Sequence, residues 1–165
     1  MARVFTSLVT LVGLVAGIGA TEVASAAPIT YALNDGRLEV KVLYDRNALI
    51  AGHDHLLVST GFSGEVTWDP ENASACKVSI TLPVQSLTVD PPGSRARHGL
   101  EGETGDGDKK TIKKNALSKG QLNANNHPNI TYTATSCSGS GGSVTVVGNL
   151  NIRGKASPVQ TSMTI

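Results

Sequence analysis

The chain has 165 residues and a net charge of +1, from 14 Lys+Arg and 13 Asp+Glu. This length predicts one domain, and the near-neutral charge excludes a nucleic-acid binder that works by bulk positive charge. Aromatic residues make up only 4% of the chain, which disfavours a base-stacking platform, whereas 18 glycines with many Ser, Thr and Val are typical of an all-β protein.

The N-terminus has the pattern of a secretory signal peptide. Arg3 supplies a positive charge, an apolar run occupies residues 4–18, and small residues fill positions 24–26. We predict cleavage after Ala26, which leaves a mature domain at residues 27–165 that is periplasmic or secreted. The alternative is a membrane anchor, but a bilayer span needs roughly 20 apolar residues. We therefore expect no stable membrane span in the mature chain.

Alternating apolar side chains predict a meander of antiparallel strands. The alternation runs through segments 37–44, 56–68, 76–84, 130–134 and 144–152. Such a pattern indicates sheets with one dry face and one wet face. The residues that we expect to line the interior are Leu38, Val40, Val42, Phe62, Val66, Trp68, Val78, Ile80, Leu82, Ile130 and Tyr132. Because successive side chains of a strand point to opposite faces, the alternation places these residues on one face of each strand. It leaves open whether they line a cavity or a packed core.

Turn-forming residues separate these segments. Gly61 and Gly64 predict a bend or bulge inside the second segment. The longest break spans residues 90–110, and residues 111–117 then predict one short helix. Residues 159–165 alternate like a strand and are followed by no turn or polar tail. Because this would leave an unprotected sheet edge, we expect the sequence to be a fragment that lacks its last strands.

A pair of histidines is the first candidate for chemistry. His53 and His55 are two residues apart, so on a strand both rings lie on one face and offer two metal ligands. A third ligand would have to come from His98, His127, Asp54 or a cysteine. Three interpretations stay open: a metal site, a pair that hydrogen-bonds a ligand head group, and a structural turn.

Arg95 and Arg97 lie in the long break, beside two prolines. Guanidinium groups suit a phosphate or quinone head group, and the alternative is a solvated loop. The chain contains no G-x-S-x-G elbow, phosphate-binding loop or H-E-x-x-H motif. We therefore predict that the protein is not an enzyme.

Cys76 and Cys137 are the two cysteines of the chain. In an oxidising compartment a bridge between them would close a loop of about 60 residues. A meander brings the start of the first strand near the end of the second, which favours pairing. Strand parity puts only Cys76 on the apolar face, so pairing requires a bulge near Ser136. A disulfide and two buried thiols both stay open.

Three segments in order resemble a known family. They are GFSGEVTWD at 61–69, NHPNITY at 126–132 and VGNLNIRGKASPV at 147–159. Together they resemble the YceI-like family of bacterial secreted proteins, also called polyisoprenoid-binding or lipocalin-like proteins. The resemblance covers nearly all of residues 29–165. The segment at 52–55 resembles a subgroup that carries G-H-x-H.

The resemblance implies an all-β, antiparallel up-and-down lipocalin-like barrel with one short helix. Its apolar interior would hold a long-chain isoprenoid lipid or isoprenoid quinone, as carrier or store. Family members continue past this end with strands that close the barrel, so we expect an incomplete barrel. We expect no cofactor beyond the bound lipid and no nucleic-acid partner, and the oligomeric state is left open. The alternatives are a metal-binding protein or metal-dependent enzyme that uses His53 and His55, and a structural domain with a packed core.

Overall fold

The computed structural model describes residues 27–43, 52–140 and 142–164. The signal segment predicted at residues 1–26 lies outside this range and stays a prediction. Within the described range no helix has the length and apolar character needed to cross a membrane.

The described residues form an antiparallel all-β fold, which confirms the predicted fold class. Its nine strands are β1 Ile29–Leu33, β2 Leu38–Val42, β3 His55–Ser59, β4 Ser63–Trp68, β5 Lys77–Pro83, β6 Thr88–Val89, β7 Asn129–Ser140, β8 Ser143–Ile152 and β9 Lys155–Thr164. Two helices, α1 Ser94–Arg97 and α2 Asp106–Leu117, follow β6 along the chain. Short 3-10 turns at Ala73–Ala75 and Val84–Ser86 flank β5.

The strands form two sheets. One has six strands in the order β1-β4-β5-β7-β8-β9, and the other has three in the order β2-β3-β6. The two sheets do not close into one barrel within the described residues, in agreement with the expected incomplete barrel.

The chain passes from one sheet to the other between Ser59 and Ser63, where the sequence predicts a bend at Gly61. Gly64 then pairs with Ile80 of β5 at very close range. A Cβ atom at Gly64 would lie 2.1 Å from the carbonyl oxygen of Ser79, so the backbone approach requires glycine here.

One helix is longer than the sequence predicts. The prediction starts it at residue 111, whereas α2 begins at Asp106. Asp106 and Asp108 lie in its first turn, where carboxylates interact favourably with the positive end of the helix dipole. The apolar pattern alone does not reveal this turn, because its residues are glycine, aspartate and lysine.

Apolar side chains pack into two clusters. The first cluster surrounds a disulfide and contains Val66, Trp68, Cys76, Val78, Cys137, Val144 and Val146. The second cluster contains Leu82, Val84, Leu87 and Ala124. Partly buried residues of β2, β3 and the α2 region, among them Leu57 and Leu117, pack against the second cluster.

The structure joins Cys76 and Cys137, whose Cα atoms are 6.0 Å apart. The pairing of β7 with β8 shifts register between Ala134 and Ser136, which is the bulge that the parity argument requires. Because of this shift Cys137 turns to the apolar face and is only 6% exposed.

Candidate ligand-binding site

An apolar cavity of about 400 Å³ lies between the two sheets. Both sheets contribute to its wall, with β2 and β3 on one side and β5, β7 and β8 on the other. The lining residues are Leu38, Val40, Val42, Leu57, Ile80, Leu82, Leu87, Leu122, Ile130, Tyr132, Leu150 and Ile152.

Strand register explains why one wall is continuously apolar. Tyr132 in β7 lies opposite Ile80 in β5 and opposite Leu150 in β8, and Ile130 lies opposite Leu82. Directly opposed residues of antiparallel strands project to the same face. The apolar positions of three neighbouring strands therefore form one surface towards the cavity.

Most of the residues predicted from alternation lie around this cavity, and the remainder do not. The predicted residues that line it are Leu38, Val40, Val42, Ile80, Leu82, Ile130 and Tyr132. The first apolar cluster, around the disulfide, contains Val66, Trp68 and Val78. Phe62 packs against the second cluster. The alternation of a strand does not separate cavity-lining residues from packed ones, because the same face of β5 contributes Val78 to the first cluster and Ile80 to the cavity.

The cavity also has lining residues that were not predicted from the sequence. Leu150 and Ile152 share the alternation of β8, which is the signal that would have identified them. Leu122 lies outside every helix and strand, so no periodic pattern marks it.

Tyr132 brings a polar atom to the wall of the apolar cavity. Its hydroxyl donates a long hydrogen bond of 3.4 Å to the carbonyl oxygen of Val146, and burial raises the pKa of Tyr132. A Cβ atom at Gly148 would lie 2.6 Å from the Tyr132 ring. Gly148 thus leaves the space that the ring occupies against β8.

A second, polar pocket of about 840 Å³ lies beside β3 and α2. It is lined by Gly52, His53, His55, Arg95, Glu101, Glu103, Thr104, Gly105, Asp108, Thr111, Ile112 and Asn115. His53 and His55 therefore lie at one site, together with Arg95. Arg97, the other predicted head-group residue, lies elsewhere.

Asp90, which was not predicted as a site residue, contacts three of the side chains that line the polar pocket, those of His55, Arg95 and Thr104. Asp90 is completely buried, and its Oδ1 accepts a hydrogen bond of 2.7 Å from the backbone N–H of Leu56. Its Oδ2 lies 2.7 Å from His55 Nδ1, 2.6 Å from Thr104 Oγ1 and 3.3 Å from Arg95 Nη1. Burial by itself raises the pKa of Asp90, but the hydrogen bonds from Leu56, Thr104 and His55 outweigh it and lower the pKa.

Arg95 holds the protein's own backbone at the edge of the polar pocket. Its Nε donates to the carbonyl oxygen of Gly102 at 2.8 Å and its Nη2 to that of Glu101 at 2.8 Å. Its Nη1 donates to the carbonyl oxygen of Asp54 at 2.9 Å. All three nitrogens are thus engaged with protein oxygens, so Arg95 fixes the loop around the pocket.

The two histidines line one pocket. In the part of the chain that the structure describes, no group of three or more His, Cys, Asp or Glu side chains could hold a metal ion. His55 Nδ1 also faces Asp90, an arrangement that fixes the ring.

Arg97 belongs to an ion-pair cluster around Glu39 on β2. Arg97 Nη2 lies 2.8 Å from Glu39 Oε1, and His98 Nε2 lies 2.5 Å from Oε2. The hydrogen bonds from His98 and Arg97 lower the pKa of Glu39 to about 2. The cluster ties the α1 region to β2, whose alternate residues line the apolar cavity.

We expect the Glu39 cluster to give a distinct acid limb in the stability profile. The pKa of Glu39 falls from an ordinary value of 4.5 to about 2 on folding, so its contribution is complete above pH 4.5 and lost as pH falls towards 2. Glu39→Gln should flatten this limb in melting temperatures measured across that interval. Superimposable profiles of melting temperature against pH for the two proteins would show that the charge of Glu39 contributes nothing to stability in this interval.

Comparison with known proteins identifies the family. A model of the YceI-like domain matches residues 50–165. Among solved structures the fold is similar to that of BcnA from Burkholderia cenocepacia, with 20% identity and a TM-score of 0.52 over 82% of this chain and 67% of BcnA.

A mutant CJ YceI protein, solved with a monobromobimane guest, is 14% identical with a TM-score of 0.48 over 73% of this chain and 60% of that protein. The present chain thus spans about two-thirds of the first structure and less of the second. No curated protein matches it. The family model covers well over half of the sequence, and the chain therefore belongs to the YceI-like family.

Proposed function

We propose that this chain is an exported binding protein that holds a long-chain isoprenoid lipid or isoprenoid quinone, as a carrier or store and not as a catalyst. The observation that carries the proposal is the apolar cavity between the sheets. All of its lining side chains are aliphatic except Tyr132. The isoprenoid identity of the ligand rests on the resemblance of three segments to polyisoprenoid-binding proteins.

Exposed apolar residues at the edge of the cavity support a lipid ligand. Val40, Val42 and Ile152 line the cavity, yet they are 43%, 44% and 38% exposed. Exposed apolar patches on soluble proteins often mark binding sites. Each CH2 group of a lipid chain buried against it would contribute about 0.8 kcal/mol.

Export is supported by two features of the chain. The first is the signal pattern predicted at residues 1–26. The second is the disulfide between Cys76 and Cys137, a bond that persists mainly in oxidising compartments.

Native mass spectrometry of the gently purified, exported protein tests the proposal. We expect an additional mass that dissociates as an apolar lipid. Val40→Asp should abolish it, because the variant puts a carboxylate in the cavity wall. A metal adduct lost on mutation of His53 and His55 would instead support a metal-binding function.

Ile29→Asp is the matched control for Val40→Asp. Ile29 is 47% exposed, lies on the edge strand β1 and is not part of the cavity wall. Ile29→Asp therefore replaces an aliphatic side chain of similar exposure to Val40 with the same carboxylate, but outside the cavity. We expect this variant to retain the lipid. A wild-type protein without any lipid, even after incubation with prenyl lipids, would contradict the proposed function.

A further inference from the structure

The polar pocket adjoins one end of the apolar cavity. His55 lines the pocket, and its direct partner on β2 is Val42, which lines the cavity. His55 also shares a face of β3 with Leu57, another residue of the cavity wall. His55 is therefore within reach of the head group of an amphiphile whose tail occupies the cavity. This step rests on the proposed function.

Asp90 determines which hydrogen-bonding group His55 offers to such a head group. The carboxylate of Asp90 is buried and has a pKa below its ordinary value, so it is ionised and only accepts hydrogen bonds. The proton of a neutral His55 ring must then lie on Nδ1, which is 2.7 Å from Asp90 Oδ2. The ring nitrogen left for a ligand is Nε2, and in this tautomer it is an acceptor.

The charges around the pocket disfavour an anionic head group. Glu101, Glu103 and Asp108 line it, and the nitrogens of Arg95 already donate to protein oxygens. The N-terminus of α2 also lies here, but Asp106 and Asp108 in its first turn offset the positive end of the helix dipole.

We propose that the polar pocket selects a head group that donates a hydrogen bond to Nε2 of His55, namely the hydroxyl of a prenyl alcohol or of a hydroquinone, and rejects a phosphate. The selection combines an acceptor fixed by Asp90 with a carboxylate-lined wall. An ether or an oxidised quinone leaves the acceptor unpaired, and a phosphate meets like charge.

Calorimetric titration of the delipidated full-length protein tests this selection with farnesol, farnesyl methyl ether and farnesyl phosphate. At about pH 8 we expect farnesol to bind about three- to tenfold more tightly than its ether. The phosphate should bind most weakly. A short-chain hydroquinone and its quinone form a second pair, in which we expect the hydroquinone to bind more tightly. The two pairs distinguish an alcohol ligand from a hydroquinone ligand.

Two variants of His55 separate the acceptor from a structural role. His55→Asn keeps a donor near the position of Nδ1 for Asp90 but has no group at Nε2, so we expect it to bind farnesol and the ether equally. His55→Gln carries an amide oxygen near the position of Nε2, so it should retain the preference for farnesol. A merely structural histidine would change the affinity for both compounds together.

The possible results distinguish this inference from the proposed function. Equal affinity of the wild-type protein for farnesol and its ether, or tightest binding of the phosphate, would overturn the head-group selection and leave the apolar cavity as the lipid site. Failure of every compound to bind would overturn both.

Discussion

Replacing Asp90 with alanine is expected to lower the free energy of unfolding by about 3–5 kcal/mol. The side chain is completely buried, and its loss removes the acceptor of the Leu56 N–H and the Thr104 hydroxyl. It also leaves the guanidinium of Arg95 and the ring of His55 without their carboxylate. Urea unfolding, followed by the fluorescence of the single tryptophan, measures the change.

Two further variants show whether charge or general perturbation causes the loss. Asp90→Asn keeps the side-chain volume and tolerates the positive φ of 41° at this position, so it should cost less, about 1–3 kcal/mol. Asp106→Asn changes a side chain that is 94% exposed and should cost less than about 1 kcal/mol. Equal effects at positions 90 and 106 would refute the central role of Asp90.

Removal of the disulfide is expected to have a similarly large effect. The bridge joins residues 61 positions apart, and the chain-entropy model assigns about 4 kcal/mol to a loop of this length. The double variant Cys76→Ala/Cys137→Ala should therefore unfold at a much lower urea concentration than the wild-type protein. Treatment of the wild-type protein with a reductant provides an independent measurement without a substitution.

The disulfide lies in the first apolar cluster, none of whose buried members lines the cavity, although Ile80 and Tyr132 of the cavity wall pack against this cluster. We therefore expect the double variant to retain its lipid under conditions in which it stays folded. Unchanged stability after reduction would show that the bridge does not constrain the unfolded chain. Loss of the lipid from a folded double variant would show that the cluster and the cavity are coupled.

Local alternation predicted strands in which buried or half-buried residues alternate with exposed ones, such as β4 and β8. It did not predict β1, whose first four residues are all exposed. It treated residues 56–68 as one bent segment, and the structure divides this segment into β3 and β4 in different sheets. Gly61 marks the position of the break, but the partner of each half depends on pairing with distant strands. The helix at residues 106–117 was only partly predicted, since its first turn has no apolar face.

The site was less predictable than the fold. Asp90 lies 35 positions from His55 along the chain, and the two meet only because β6 pairs with β3. A lone aspartate before two prolines gives no sign of such burial. Arg95 was one candidate for binding a head group, with a solvated loop as the alternative. In the structure it donates hydrogen bonds to three backbone carbonyl groups that become neighbours only in the folded loop.

Isotope-filtered NMR of the protein with its prenyl guest bound and its Ile, Leu and Val methyl groups labelled shows which residues contact the guest. If the lipid lies between the two sheets, its tail will contact Leu57, Ile80, Leu82 and Ile130 and will not contact Val144 of the first apolar cluster. Contacts confined to exposed apolar residues such as Ile29 would contradict the claim that the cavity between the two sheets holds the lipid.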